Sequence, residues 1–476
     1  MDRVVKAGLI FSAIVGLQVW TFAGGISLEK VMLDVCTKSD STKSLQEVVK
    51  KSKQQIREQY ANALPTVTGQ IFAGHGYGIG MAKSSGGGGS GNNPTDSGIV
   101  TFDTLYSILG NTFGNTMRKM YEPGDAEVYS TSINISQPIY TFGKIGTAVN
   151  VAKYFDSSNL LTYDRSLQLL QLQGFDAFYS VVLAEMALSV LERSVARKKE
   201  LSEFLTRNFS LGSGSKAQML LTKADLESLW PEIITSRQQA RAARRLLNVL
   251  MGNDSNDSLQ LDTSSVSMMP SLLTMRIPSM DEALKNAVSD RTDIRSIDYL
   301  KKANDGGVKI YKANYLPSIA AQFSAGTSSK SLEDLFNFKD YGNWQAGVGL
   351  QWQLFDGFAS SAKAQQYQSD SRKLEITKKS ILKYLEIEIE NALSECIVAD
   401  SNLIAANVIY EALQEAYQLT DDNFKQGDGQ FTELQLAEER LRQGEMNIFN
   451  AQYRQKRSRA ALLVTMGRTI IPMEGK

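Results

Sequence analysis

One histidine and two cysteines serve 476 residues, and neither sign of charge prevails, since 51 lysines and arginines stand against 51 aspartates and glutamates. Each shortage removes a class of function. With His75 as the sole imidazole, a histidine-rich metal site or a histidine-based catalytic triad is all but excluded, and no cofactor is called for. Cys36 and Cys396 are too few for a disulfide framework even in an exported chain, so buried free thiols are expected. The balanced charge leaves no basic footprint for nucleic acid or an anionic surface. Long apolar runs are scarce as well. Ala7 to Val19 follows Arg3 and Lys6 and precedes the small residues Ala23, Gly24 and Gly25. It is short for a membrane span and reads as a secretory leader, residues 1–23, with no comparable run after it. In Leu33-Asp34-Val35-Cys36 an acidic residue stands where a lipidation site needs a small one, so no lipid anchor is expected.

What is present is written twice. Ser27–Gly74 recurs at Ser279–Gly326 and Ile139–Gly252 recurs at Leu354–Gly467, each pair at its own fixed offset. Leu64-Pro65 falls on Leu316-Pro317, Gln70 on Gln322 and Gly74 on Gly326. In the second pair Asn208, Phe209, Gly212, Gly214 and Leu221 meet Asn423, Phe424, Gly427, Gly429 and Leu436. Both copies close on Met-Gly, Met251-Gly252 and Met466-Gly467. Such a unit is too long for a solenoid, so each copy should be a whole substructure related to the other by pseudo-symmetry. The offsets differ through one insertion in the first copy, between Gly74 and Ile139, which holds the flexible stretch Ser84–Gly91 and the less obviously disordered Val100–Tyr106.

Within each copy the hydrophobic period changes. Trp344, Ala346, Val348, Leu350, Trp352 and Leu354 alternate with Gln345, Gly347, Gly349, Gln351 and Gln353. Ile319, Ala321, Phe323 and Ala325 do the same, as do Val67, Ile71, Ala73 and Tyr77 in the first copy. Period two marks half-buried strands. In a sandwich the two faces would meet core and water; in an outer-membrane barrel they would meet lipid and a wet lumen, and alternation alone leaves both open.

The helices are more selective. From Leu385 through Ile389, Ala392, Cys396, Ala399, Leu403, Ala406, Tyr410, Leu413, Tyr417 and Thr420 to Phe424 the spacing is four and three, a coiled-coil seam. Leu170, Gly174, Ala177, Val181, Ala184, Leu188, Leu191 and Val195 repeat it until Lys198 interrupts. A helix from Phe358 to Phe424 would be on the order of 100 Å long, more than a compact domain holds. Leu211-Gly212-Ser213-Gly214 and Gln426-Gly427-Asp428-Gly429 then reverse the chain into amphipathic return helices. Neither is a phosphate loop, because each follows a helix and lacks the lysine-hydroxyl pair.

Leader, duplicated strand-pair and long-helix units, Leu-Pro before the first strand and Phe-x-x-Gly-x-Gly at the reversal together resemble the TolC family of outer-membrane efflux factors, over essentially all of the mature chain. The resemblance implies a mostly α fold with a small β part, in which a homotrimer builds a twelve-stranded outer-membrane barrel and a periplasmic α-helical tunnel. Physics independently asks for oligomers, since four strands cannot close and an open edge is not tolerated in hydrocarbon. The expected organisation is a leader 1–23; a first repeat 24–252, with strand pair 66–140 around an external loop 75–127, a long helix to 209 and a return helix 216–252; and a linker 253–278. A second repeat 279–467 has strand pair 317–355, a long helix to 424 and a return helix 430–467, before a tail 468–476.

By the same resemblance, acidic residues after the reversals line a periplasmic gate. Glu433 matches the first acidic position, Gln218 is its first-copy equivalent, and Leu436 occupies the second position. Three Glu433 side chains on one axis would favour bound cations. The bland alternative is a solvated helix residue like Glu438 and Glu439. The turns Gly212, Ser213, Gly214, Gly427, Asp428 and Gly429 are the implied docking points for a periplasmic adaptor, and through it an inner-membrane pump. The expected function is a passive export duct for efflux or type I secretion, not an enzyme, with a stand-alone porin or surface receptor without adaptor as the rival.

Overall fold

The computed structural model describes residues 25–77, 125–256, 260–261 and 275–472. The expected leader, most of the loop 75–127, part of the linker and the last four residues of the tail lie outside the described residues. The first repeat runs α1 (Leu28–Lys38), α2 (Asp40–Ala61), β1 (Thr66–Tyr77), β2 (Asp125–Tyr140), α3 (Lys144–Ser210) and α4 (Lys216–Leu250). The second runs α5 (Met280–Asp290), α6 (Thr292–Lys312), β3 (Ser318–Ser329), a short α7 (Phe338–Tyr341), β4 (Gly342–Gln351), α8 (Ala359–Gln426) and α9 (Phe431–Thr465). The fold is mostly α with a small antiparallel β part, as the sequence periods imply.

The duplication begins at a helix cap. Ser27 Oγ accepts the Lys30 amide ahead of α1 and Ser279 Oγ accepts the Glu282 amide ahead of α5, each at 3.3 Å. Leu64-Pro65 and Leu316-Pro317 then separate helix from strand, because the residue before a proline is driven to extended backbone. Trp352 and Leu354, part of the sequence alternation, lie beyond the end of β4 at Gln351. Trp352 instead donates its indole N–H to the Tyr315 carbonyl at 3.0 Å, which ties the strand exit to the short turn Ala313–Tyr315 after α6.

The described chain divides into two compact units, and each draws on both repeats. One comprises Val48–Leu161 and Asp293–Ser380. It holds a four-stranded antiparallel sheet in the order β1-β2-β3-β4. Helix pairing in this unit repeats with the sequence. α2 meets the start of α3 through Ser52 and Asp156, and α6 meets the start of α8 through Lys378 and Asp298 at 2.6 Å, Lys301 and Glu375, and stacked Tyr311 and Tyr367.

The other unit takes Thr162–Thr292, Ile381 onwards and the chain up to Glu47. Its core gathers Leu28, Met32 and Val35 of α1 with Leu167, Phe175, Phe178 and Val182 of α3 and Leu247 of α4. Gln171, fully buried, accepts the Ile470 amide at 2.8 Å and donates to the Ile471 carbonyl at 3.2 Å, pinning the segment after α9. Arg165 and Gln168 donate to the Val464 and Gly467 carbonyls, where the α9 end leaves acceptors without intrahelical partners.

The seam is visible in burial. On α8, Leu385, Ile389, Cys396 and Ala399 are buried and Leu403, Ala406, Tyr410, Leu413, Tyr417, Thr420 and Phe424 are half-buried, while nearly all their neighbours are exposed. α3 buries a second stripe, including Phe175, Phe178 and Val182, because α1 packs on its other side. Both α3 and α8 contain stretches apolar and long enough, by composition, to cross a membrane. In α8 that stretch is mostly exposed.

Cys36 and Cys396 are both free and both buried. Burial pushes the Cys36 thiol up to about 11 and raises that of Cys396 as well. On the order of one Cys36 thiol in ten thousand is then ionised at neutral pH. Maleimide should label neither cysteine in the folded protein and both after denaturation; rapid labelling of the native protein would contradict the burial.

Candidate functional site: a two-faced sheet and two matched reversals

The sheet is a single layer whose faces differ in chemistry. The strand register aligns Val67, Ile135, Phe323 and Ala346 in one row and Gly69, Ile133, Ala325 and Trp344 in the next. Alternation along the strands puts both rows on one face, with Val348 and Leu350 continuing it. Thr66, Ser136, Gln322 and Gly347 form a row on the opposite face, beside Thr68, Asn134, Ser324 and Gln345 and then Gln70, Ser132, Gly326 and Asn343. A soluble sheet would bury the apolar set. Here Val67 is 64% exposed, Ile71 66%, Trp344 73% and Val348 69%. A contiguous apolar surface of this kind marks an interaction with lipid or another protein. The alternation left sandwich and barrel open; the exposure of the apolar face favours lipid on one side and water on the other.

The reversals share the same two closing bonds. Gly212 N–H donates to the Phe209 carbonyl and Ser213 N–H to the Asn208 carbonyl, both at 3.0 Å. Gly427 N–H donates to the Phe424 carbonyl at 3.1 Å and Asp428 N–H to the Asn423 carbonyl at 3.0 Å. This is the Schellman closure of a helix end, with Gly212 at φ 80° and Gly427 at φ 95° in the left-handed position. The second glycine of each turn answers a different need. A Cβ on Gly214 would come within 2.6 Å of the Phe209 nitrogen, and one on Gly429 within 2.7 Å of the Phe424 nitrogen. The duplicated Phe-x-x-Gly-x-Gly thus specifies one turn twice.

Past the turns the two copies diverge. Glu433 is exposed in the first turn of α9, where the helix dipole favours a carboxylate, and Gln218 is half-buried in the first turn of α4. Glu438 is not solvated. It is 5% exposed, accepts from Ser194 Oγ at 2.7 Å and from Arg197 at 3.2 Å, and faces Lys198 at 3.8 Å. Arg197 also reaches the buried Glu445 at 3.6 Å, which accepts from Arg193 at 3.3 Å. The guanidinium lies over the Tyr417 ring, 5.6 Å from its centroid, and burial pushes that phenol up to about 12. Lys425, held between Asp421 and Glu200 at 2.8 Å each, has its ammonium form favoured.

Residues 283–468 match the family model described as "Outer membrane efflux protein". The second repeat belongs to the outer membrane efflux protein family. The first repeat shares its capping serine and its helix reversal. Among solved structures, CusC has 15% identity and a TM-score of 0.71 over 94% of this chain and 93% of its own. The outer membrane protein VceC of Vibrio cholerae has 13% identity and a TM-score of 0.69 over 93% and 97%. The MtrE outer membrane channel of Neisseria gonorrhoeae has 18% identity and a TM-score of 0.67 over 93% and 89%. These likenesses show that the efflux-protein fold extends over nearly the whole chain. No curated protein sequence matches it significantly.

Two features of the structure have no plain counterpart in the sequence patterns. One is the Arg197 network, whose signal was the break in the α3 seam at Lys198. The other is the segment Leu332–Tyr341 between β3 and β4, too short to show a period.

Proposed function

We propose that this protein is the outer-membrane duct of a tripartite efflux pump or type I secretion system: a passive, non-enzymatic homotrimer that receives cargo through a periplasmic adaptor from an inner-membrane pump. The observation that carries this reading is the single-layer sheet with one lipid-compatible face, one polar face and two strands, β1 and β4, at its ends. The smallest spanning barrels need about eight strands, and hydrocarbon does not tolerate a free strand edge. Three copies joined β4 to β1 would close a twelve-stranded barrel with every polar face inward. Ile397, Ile404 and Val408 of α8, each at least 60% exposed, give the helices an apolar surface for the same assembly to cover.

In this reading the gate holds one carboxylate per protomer, because Glu433 has Gln218 and not an acid as its repeat partner. The adaptor meets the exposed turns around Gly212, Ser213 and Gly214 and around Gly427, Asp428 and Gly429. Full-length protein in planar bilayers should conduct as an SDS-resistant, heat-modifiable trimer with a preference for cations. Glu433→Ala should raise the conductance and weaken the preference. Conductance and selectivity both unchanged by the substitution would remove the gate assignment; a monomer that never conducts would remove the duct.

A further inference from the structure

The β3–β4 connection is more than a turn. Thr327 Oγ1 donates to the Leu335 carbonyl, and both residues are buried. Thr327 pairs with Gly342, two residues along from the Ala325 and Trp344 pair, so its side chain emerges on the apolar face of the sheet. A Cβ on Gly342, on that same face, would collide with the Phe338 carbonyl and ring. Two independent contacts therefore put the segment on the apolar face, folded back over its hairpin end. Side-chain caps keep it there: Ser331 Oγ accepts the Glu333 amide at 3.3 Å and Asn337 Oδ1 accepts the Asp340 amide at 3.4 Å. What the segment turns outward is apolar. Leu332 is 61% exposed, Phe336 71% and Phe338 54%, and Phe338 lies against Gly342, two residues from Trp344 on the same face.

We propose that Leu332–Tyr341 is an interfacial anchor that seats Leu332, Phe336 and Phe338 at the boundary between acyl chains and headgroups of the outer leaflet. The inference rests on the barrel reading, which makes the apolar face the lipid face and the hairpin end the external one. Lipid is the occupant because Phe338 extends the apolar sheet face from Gly342 and Trp344, and aromatic side chains concentrate where the lipid-facing band of a barrel meets water. A loop built to bind a soluble ligand would have no reason to fold onto that side.

Depth measurements on the assembled trimer decide it. Single variants Phe336→Cys, Phe338→Cys, Val348→Cys and Gln345→Cys would carry a nitroxide in phospholipid vesicles, the native thiols being buried. Oxygen should reach the labels at 348, 336 and 338, with 336 and 338 shallower than 348, and an aqueous nickel chelate should reach only 345. If 348 is in lipid while 336 and 338 are as open to nickel as 345, the anchor is wrong and the barrel stands. Labels at 336 and 338 shielded from both reagents would mean packing against a second copy of the chain, which also overturns it. A nickel-accessible 348 would take down the barrel reading and the anchor together.

Discussion

Arg197→Ala will destabilise the helical unit by about 3 kcal/mol, the lower end of the 3–5 kcal/mol typical when one member of a buried ion pair is removed. The guanidinium is the shared partner of Glu438 and Glu445, which are 5% and 6% exposed. Without it, Ser194, Lys198 and Arg193 remain, and Lys198 stands 3.8 Å from Glu438, too far for a hydrogen bond. Two carboxylates would then be desolvated with too few donors. The urea midpoint of the far-ultraviolet helix signal should fall, and protease should cut more readily near α9. The triple variant Arg197→Met, Glu438→Gln, Glu445→Gln should recover much of the loss, because it removes the charges along with their partner. A loss below about 1 kcal/mol for Arg197→Ala would place the cluster with surface pairs, which contribute little.

Val348→Arg should prevent the proposed trimeric barrel from reaching the outer membrane. Val348 lies 69% exposed on the apolar face, where a cation at the bilayer midplane costs about 2–4 kcal/mol, and a trimer would carry three of them. Gln345→Arg is the matched control. It sits three residues earlier on the same strand but on the polar face, in the row of Thr68, Asn134 and Ser324. Heat-modifiable trimer in the membrane fraction should be lost for Val348→Arg and kept for Gln345→Arg, whose effect should appear as altered ion selectivity. Equal tolerance of both would mean that the face does not meet lipid.

Most of the fold is legible because it is stated twice. Paired glycines, prolines and capping serines at matching positions mark the same boundaries in both copies, and the seam spacing selects the buried side of α8 almost residue by residue. What the sheet faces is not legible, since alternation is the same whether the apolar side meets a second sheet or a bilayer. The Arg197 network is hidden for another reason. Its acidic partner Glu438 lies 241 residues away in the chain, and an isolated charge on a helix reads as solvated until its partner is known. Glu433 is the reverse case: its position is evident from the turn motif, while the gate role proposed for it would require further copies of the chain.

The return helices α4 and α9 have the same length, 35 residues, and end in the same way, with Gly252 and Gly467 donating to Val249 and Val464 at 3.0 Å. Deleting one heptad from a single copy would shorten that hairpin by about 10 Å while its twin kept its reach. In the proposed tunnel the hairpins would have to keep a common length, so a one-sided insertion there should be tolerated less well than one between β1 and β2. Two halves of one chain that differ almost everywhere in sequence keep a common ruler.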